Sequence, residues 1–152
     1  MKIRDFRQHE AQLTFGVRSA ALIIGQKGLL TLYDSKKDMY VIPGGAIRVG
    51  ETTEKAALRE VYEEIGIAIN VQDLIVIVEN HFKQNDQIFH NIEFYYRCKI
   101  SCEYDENDLA GDTGLAMKWL PLSRLGEFNL KPSFLQNEKF DSASLKHLII
   151  ED

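Results

Sequence analysis

One stretch, residues 45–67, constrains this chain more than any other, because it combines a glycine turn, a helix and a glycine stop. Thr52 or Thr53 predicts the helix start, since a threonine hydroxyl accepts hydrogen bonds from the first free backbone N–H groups. Gly66 predicts the helix end, because glycine readily adopts the left-handed conformation that follows a last turn. Apolar residues between them recur at helical spacing and predict one buried face, formed by Leu58, Val61, Tyr62 and Ile65.

A second face of the same predicted helix is acidic. Glu60, Glu63 and Glu64 recur at spacings of three and four residues, so their side chains are neighbours. Like charges at this spacing repel, and the negative end of the helix dipole costs each exposed carboxylate about 0.3–1 kcal/mol. Arg59 relieves part of this repulsion by pairing with Glu63. The residues alone leave two interpretations open: a solvated acidic face, or a site for a hard divalent cation.

The spacing across this stretch resembles the signature of a known family. That signature is a glycine, five residues, a glutamate, seven residues, Arg-Glu, an aliphatic residue, any residue, Glu-Glu, any residue, a glycine and an aliphatic residue. The matching positions are Gly45, Glu51, Arg59, Glu60, Val61, Glu63, Glu64, Gly66 and Ile67. At average residue usage, a chance match at every position is rarer than about 1 in 10⁸ per starting point. The chain therefore resembles the Nudix hydrolase (MutT-like) family.

The rest of the chain predicts strands on both sides of the helix. A hairpin turn is predicted at residues 84–87, and Pro121 opens a short helical turn. Residues 132–140 predict a second helix, whereas residues 142–150 suit helix and strand alike. Strands are predicted at residues 17–24, 29–33, 39–42, 74–82, 88–100 and 115–120.

This order of elements indicates a mixed α/β (α+β) protein. The resemblance implies a Nudix-type α/β/α sandwich with a mixed β-sheet. It also implies a single domain over residues 1–152, with the signature box at residues 45–67.

The resemblance implies a metal site at the box. Members of the family typically hydrolyse a nucleoside diphosphate linked to another group, with the help of divalent ions. Glu60 and Glu64 are then expected as direct metal ligands, and the Gly44 carbonyl as a backbone ligand. Glu63 would hold a second ion or help to activate water. The expected cofactor is Mg²⁺ or Mn²⁺.

Two further box residues complete the predicted catalytic group. Glu51 is expected to join the acidic cluster from the loop before the helix, and Arg59 to hold the glutamates in place. The catalytic residues implied by the resemblance are therefore Glu51, Arg59, Glu60, Glu63 and Glu64. The adjacent glycines Gly44 and Gly45 are expected to let the backbone approach a ligand closely and to adopt backbone angles closed to other residues.

Substrate-binding candidates lie outside the box. Arg18 suits a phosphate contact, or is a solvated arginine at a strand end. Tyr40 could stack on a base, or belong to the core. Alternation along one strand puts Phe89, Glu93 and Tyr95 on one side, where they form one wall of a pocket or part of the core.

Composition narrows the class of partner. A net charge of −5 argues against binding of nucleic-acid polymers, which usually use a basic patch. No stretch approaches the about 20 apolar residues of a membrane span, and no signal peptide is visible. Cys98 and Cys102 are expected to be reduced thiols. The expected partners are a small nucleotide and a second copy of the chain in a homodimer, with a cytoplasmic location.

The sequence thus predicts a divalent-metal-dependent pyrophosphohydrolase, an enzyme that acts on phosphoric anhydride bonds. Nucleoside triphosphates, nucleotide sugars and ADP-ribose all stay open as substrates. The alternative is a catalytically silent Nudix-fold module that binds nucleotides or regulates. The complete set of box carboxylates favours the enzyme.

Overall fold

The computed structural model describes residues 3–104, 114–137, 140 and 144–151. One α-helix, α1 (Thr53–Ile65), and two 3-10 helices, Leu122–Glu127 and Ser133–Asn137, lie within this part of the chain. The strands are β1 (Arg7–Glu10), β2 (Leu13–Gly25), β3 (Gly28–Asp34), β4 (Met39–Val41), β5 (Gly44–Ala46), β6 (Ile69–Gln84), β7 (Gln87–Ile100), β8 (Ala116–Leu120), β9 (Leu130–Lys131) and β10 (Lys146–Glu151).

The described strands form one mixed sheet whose main path is β10-β6-β7-β2-β3-β4-β9. Off this path, β1 and β5 pair with β2, and β8 pairs with β3. The pairs β10–β6, β2–β7 and β4–β9 are parallel and the others antiparallel. The mixed sheet with its flanking helix confirms the predicted α+β class. Strand β2 is central, since it touches β1, β3, β5 and β7.

Alternation along β2 divides the core between the two faces of the sheet. Ala21 and Ile23 pack in a cluster that includes Val61 and Ile65 of α1. Leu22, between them in the chain, belongs to the opposite cluster, which the 3-10 helices cover with Leu125 and Leu135 among others. The helix therefore lies on one face of the sheet, and the short 3-10 helices lie on the other.

Helix α1 begins and ends as the sequence predicts. The Thr52 hydroxyl accepts a hydrogen bond from the Lys55 N–H at 3.2 Å. Gly66 has a φ of 79° and donates its N–H to the Tyr62 carbonyl. No helix among the described residues is long and apolar enough to span a membrane.

The buried face of α1 differs from the predicted stripe. Val61 and Ile65 are buried as expected, whereas Leu58 is 36% exposed and Tyr62 is 67% exposed. The small residues Ala56 and Ala57 are fully buried in their place. Two alanines bring the helix close to the sheet, where the Ser19 hydroxyl donates to the Thr53 carbonyl at 2.6 Å.

The later elements follow the predictions in part. The hairpin turn between β6 and β7 is confirmed, with positive φ at Asn85 and Asp86, as a two-residue turn of this kind requires. The predicted second helix is shorter than expected, a 3-10 helix at Ser133–Asn137 with Leu135 buried. The ambiguous tail forms strand β10, whose side chains alternate between half-buried and exposed.

The turn between β2 and β3 yields the first prediction. Gly28 has a φ of 116°, and a Cβ there would lie 2.0 Å from the Leu120 carbonyl oxygen. Gly28→Ala therefore forces backbone apart, and we expect a loss of about 2 kcal/mol or more in unfolding free energy. Gly126→Ala is the control, since no atom lies within 4 Å of its added Cβ. Equal urea midpoints for both variants would contradict the strain at Gly28.

Candidate active site

Arg59 lies near the centre of the box, and its guanidinium binds groups from the loop before the helix and from the helix itself. Its Nε and Nη2 donate to the two carboxylate oxygens of Glu51, at 2.7 and 2.8 Å. Its Nη1 donates to Glu60 at 2.7 Å and to Glu63 at 3.2 Å. Nη2 also donates to the Ala46 carbonyl at 3.1 Å. The bidentate pair with Glu51 is the strongest geometry available to an arginine and a carboxylate.

Burial makes this network more than a surface ion pair. The side chains of Arg59, Glu51 and Glu60 are only 16%, 15% and 14% exposed, whereas Glu63 is 47% exposed. The hydrogen bond to Glu51 is the main reason why the pKa of Arg59 is raised. That same hydrogen bond holds the pKa of Glu51 below its ordinary value. The predicted role of Arg59 in holding the glutamates agrees with these contacts.

Strand β5 turns part of its backbone toward the box helix. It pairs with β2 in antiparallel fashion, where alternate residues bond to the partner strand. Gly44 and Ala46 are the residues that face the other way: the Gly44 N–H donates to Glu64 Oε1 at 3.3 Å, and the Ala46 carbonyl binds Arg59. Because the N–H and C=O of one strand residue project to the same side, the Gly44 carbonyl also lies on the helix side.

The need for glycine at this turn is one of space. A Cβ at Gly45 would lie 2.5 Å from the Glu60 carboxylate, and one at Gly44 would lie 2.5 Å from the Ser19 carbonyl oxygen. Neither position has a positive φ. The backbone is tightly packed at both glycines, as the close contacts show, whereas the expected unusual backbone angles are wrong. The carboxylate of Glu60 therefore rests directly on the backbone of β5.

Glu64 is the most perturbed carboxyl of the box. Burial and the adjacent charge of Glu60 raise the pKa of Glu64 to about 7, although the Gly44 N–H and the charge of Arg18 act in the opposite direction. Two carboxylates side by side, one of them mostly buried, form a site where a cation is favourable. The residues at this point therefore fit the predicted divalent metal, because a site with only oxygen donors suits Mg²⁺ or Mn²⁺.

The box carboxylates do not yet converge on one point. In the described part of the chain, no three His, Cys, Asp or Glu side chains are placed to hold one metal ion. Three of the four box glutamates face Arg59 instead, and Glu63 also receives Arg48 at 3.4 Å. Glu60 and Glu64 lie side by side next to Gly44, so they are the box carboxylates that would need the least movement to share one ion.

A cavity of about 680 Å³ adjoins the box through strand β5. Gly44 and Ala46 line both the cavity and the box, whereas the box glutamates do not line the cavity. Of the charged side chains on the cavity wall, Glu93 is acidic. The others are basic, and they are Arg7, Arg18, Lys83 and Lys131. A protein of net charge −5 thus carries a predominantly positive cavity, which suits an anionic ligand.

Glu93 is buried in this cavity wall, with 7% of its surface exposed. Its Oε1 accepts from the Tyr95 hydroxyl at 3.1 Å and from the Asn80 amide at 3.3 Å. Burial raises the pKa of Glu93, and the charge of Arg18 opposes this shift. Within the described residues Glu93 forms no ion pair. A buried carboxyl held only by neutral donors is costly for stability, and such groups concentrate at functional sites.

The structure brings four of the five predicted substrate residues to this cavity. The cavity is lined by Phe89, Glu93 and Tyr95, as the alternation along β7 predicts. It is also lined by Arg18 of β2. Tyr95 is 4% exposed and packs edge-on against Phe134, so it offers its hydroxyl rather than an open ring face.

Tyr40 does not reach the cavity. Its ring packs on Tyr33 and Phe128, at centroid distances of 4.7 and 5.4 Å. The neighbouring residues Met39, Val41 and Ile42 line the cavity instead. Tyr40 therefore belongs to the core, which was the other interpretation open from sequence.

Two buried amides of the cavity were not among the site residues predicted from the sequence. Asn80 and Asn91 lie opposite each other on β6 and β7 and are 9% and 8% exposed. Asn80 lies two residues before Phe82 on β6, and Asn91 lies between Phe89 and Glu93 on β7. Because side chains two residues apart share a face, this spacing is the sequence signal that places both amides on the cavity side. Phe82 and Phe89 stack beside them, with centroids 5.0 Å apart.

Comparison with known proteins identifies relatives of the chain. The family model described as the NUDIX domain matches residues 14–142. A mouse protein, "Nucleoside diphosphate-linked moiety X motif 6", is 26% identical over 112 residues, which are 72% of this chain and 35% of that protein. A Streptomyces ambofaciens "MutT-like protein" is 26% identical over 112 residues, 73% of this chain and 67% of its own. The chain thus spans about a third of the mouse relative's length.

A solved structure shares the fold. The chain superimposes on a structure described as an ADP-ribose pyrophosphatase from Streptococcus suis with a TM-score of 0.64. The match has 16% sequence identity and covers 88% of this chain and 98% of that one. At this identity the likeness shows the fold, and it agrees with the mixed sheet and flanking helix described above.

The glycine pair of β5 separates a local effect on the site from an effect on folding. In Gly45→Ala the new Cβ displaces only the end of the Glu60 side chain, so we expect about tenfold weaker Mn²⁺ binding by calorimetry and little change in stability. In Gly44→Ala the Cβ meets the backbone of Ser19 and Ala20, so we expect a loss of about 1–3 kcal/mol. Unchanged Mn²⁺ affinity in a folded Gly45→Ala would contradict a ligand role for Glu60.

The raised pKa of Glu64 makes stability depend on pH. Since the pKa is about 7 in the folded chain and 4.5 ordinarily, the folded state binds more protons in this window, and stability falls as pH rises through it. We expect the Tm of the metal-free wild type to fall, relative to Glu64→Gln, between about pH 5 and pH 8. The difference in Tm between the two proteins removes the pH dependence that comes from the histidines, since both proteins contain the same histidines. Melting curves that stay parallel at every pH would show that Glu64 has an ordinary pKa.

Proposed function

This chain belongs to the Nudix family, and from that premise we propose that it is a divalent-metal-dependent pyrophosphohydrolase. The proposed substrate is a nucleoside diphosphate linked to another group, and the bond cleaved is a phosphoric anhydride. The hydrolase named among the structural relatives, and the family match over most of the chain, support an enzyme of this class. A nucleoside triphosphate, a nucleotide sugar and ADP-ribose all fit this description.

One observation carries the proposal: strand β5 separates an acidic cluster from a basic cavity. Gly44 and Ala46 contact Glu64 and Arg59 on one side and line the cavity on the other. A pyrophosphate bound in the cavity next to β5 would be attracted by the basic wall, and it would reach the box carboxylates only by extending past β5, since those carboxylates do not line the cavity. Such a junction suits hydrolysis of a phosphate chain, because positioning and electrostatics supply most of the catalysis in phosphoryl transfer.

The residues present fit a hard divalent cation. We propose that Glu60, Glu64 and the Gly44 carbonyl hold it, with Glu63 as a further ligand or as the residue that accepts a proton from water. The cation, when bound, supplies neutralising charge and Lewis acidity to the pyrophosphate. Ligation requires Glu60 to loosen its contact with Arg59, whose bidentate pair with Glu51 keeps the guanidinium in place meanwhile.

Arg18 is the proposed phosphate contact. It is half-buried at the cavity wall and opposite Ala46 of β5. Its charge lowers the pKa of both Glu64 and Glu93, so it lies between the box and the cavity floor. A guanidinium in this position can bind phosphate oxygens without leaving the sheet.

The alternative is a module that binds nucleotides without hydrolysing them. It predicts saturable nucleotide binding with no turnover at any metal concentration. The intact box glutamates and their ordered contacts with Arg59 favour the enzyme, because a binding module has no need for a repulsive carboxylate pair.

The proposed partner is a small nucleotide rather than a polymer. The basic side chains that support this line a cavity, whereas polymer-binding proteins usually present a basic stripe. We likewise propose that the chain forms a homodimer and is located in the cytoplasm.

The proposal predicts metal-dependent release of phosphate products from a nucleotide panel. We expect turnover of at least one nucleoside diphosphate derivative with Mg²⁺ or Mn²⁺, and none after chelation. We expect Glu64→Gln to lower kcat about 100-fold or more, since it removes a charge at the reacting phosphate. Glu54→Gln is the matched control, because Glu54 is exposed in the first turn of the same helix.

Two results would contradict this proposal. Full turnover in the presence of excess chelator would remove the role of the metal. Saturable nucleotide binding with no hydrolysis of any panel member would favour the binding module instead.

A further inference from the structure

The floor of the cavity is built from matched rows of residues on four neighbouring strands. One row joins Ala46, Arg18, Glu93 and Val78 on β5, β2, β7 and β6. The next row along the strands contains Gly16, Asn91 and Asn80. The third row contains Thr14, Phe89 and Phe82.

The spacing of these rows is that of the sheet. Successive rows on one face lie about 6.7 Å apart and neighbouring strands about 4.8 Å apart. Moving away from the box, a ligand would therefore meet the guanidinium of Arg18 and the carboxyl of Glu93, then two amides, then a pair of stacked rings. Gly16 contributes no side chain to the amide row, and a Cβ there would lie 3.6 Å from the Asn91 Oδ1.

This order of chemistry matches the order of groups in a nucleotide. The basic end near β5 suits phosphates, and the stacked pair Phe82 and Phe89 suits the face of a base. Asn80 and Asn91 have amides that can pair with the edge of a base. Glu93 lies in the same row as Arg18 but one strand further from β5, so it is next to the phosphate end, where the ribose of the same nucleotide would be.

Glu93 is prepared to accept a hydrogen bond. The Tyr95 hydroxyl and the Asn80 amide donate to its Oε1, and the Asn91 side chain is a third neutral hydrogen-bond partner. A carboxylate offers about four acceptor sites, so these donors leave capacity for one more. Glu93 lines the cavity, and unused acceptor capacity on a buried carboxyl is costly unless a ligand donates to it. Ribose hydroxyls are such donors, and a carboxylate that binds a ribose 2′-hydroxyl is a recurring device in nucleotide sites.

We propose that Glu93 accepts a hydrogen bond from the ribose 2′-hydroxyl and makes this cavity selective for ribonucleotides over 2′-deoxyribonucleotides. This inference rests on the proposed function, since it assumes that the cavity takes the nucleotide. It narrows the substrate class to ribonucleotide conjugates. Tyr95 is a positioning residue here, because it holds Glu93 and lies in the core.

The test measures binding rather than hydrolysis. We would titrate ¹⁵N-labelled, metal-free protein with four pairs of monophosphates, AMP, GMP, CMP and UMP, each against its 2′-deoxy form. Shifts of the Asn80 and Asn91 side-chain amides report occupancy at millimolar concentration. We expect at least one ribonucleotide to bind about tenfold more tightly than its deoxy form, the value of one hydrogen bond to a charged group.

Variants then assign this preference to Glu93. Glu93→Gln retains the shape of the side chain and loses its charge. The ratio of the two dissociation constants, deoxy form over ribo form, should therefore fall to about two or less. Glu79→Gln is the matched control, since Glu79 lies on the same hairpin and outside the cavity, where it contacts His147; it should keep the wild-type ratio. If Glu93→Gln does not fold, Tyr95→Phe removes one of the donors that hold Glu93 and should lower the ratio partially.

Three outcomes would overturn the inference. They are equal binding of ribo and deoxy forms by the wild type, an unchanged ratio in Glu93→Gln, and no amide shift with any ribonucleotide. An equal change in the affinity for both forms in Glu93→Gln would show that Glu93 acts only on the phosphate, through the charge of Arg18. The proposed function is judged separately by the metal-dependent hydrolysis panel, so either can fail without the other.

Discussion

The site depends on one guanidinium. Arg59 has five N–H donors in a rigid plane, and it uses them on carboxylates from the box loop and helix and on a carbonyl of β5. Without this cation, Glu51 and Glu60 would be two buried negative charges with no charged partner, which is among the more costly arrangements in a protein interior. The same contacts tie three segments of the chain together where the helix meets the sheet. One side chain thus holds the box carboxylates and also ties the helix to the sheet.

The structure keeps two kinds of acidic group apart. Three of the box carboxylates are balanced by Arg59, whereas Glu93 is balanced only by neutral donors and the more distant charge of Arg18. Both Glu64 and Glu93 have a raised pKa because they are buried, so both are sensitive to what binds beside them. Arg18 influences the two together. A ligand that draws Arg18 toward its phosphates would alter the electrostatic environment at both ends of its own binding site.

Local patterns predicted the helix caps and the acidic face well, because Thr52, Gly66 and the glutamates act over a few residues of chain. The buried face of α1 was predicted less well, because Ala56 and Ala57 are chosen by how closely the helix approaches β2, which periodicity does not contain. Asn80 and Glu93 meet only through the β6–β7 register, and β6 has two irregularities, between Val71 and Asp73 and between Leu74 and Val76. No local propensity specifies those shifts, so the polar floor of the cavity could be seen only in three dimensions.

Strand β2 shows how such a protein can change its preferences. The Ser19 side chain faces the helix and fastens it through the Thr53 carbonyl, although Ser19 also lines the cavity, whereas the adjacent Arg18 contributes its charge to the cavity wall. Neighbouring side chains therefore serve different tasks, because they alternate between the two faces of the sheet. The charge of the cavity wall can change at Arg18 while the contact of Ser19 with the helix stays in place. A scaffold of this kind is suited to diversification, because new specificities arise by single changes at alternate positions of strands that already exist.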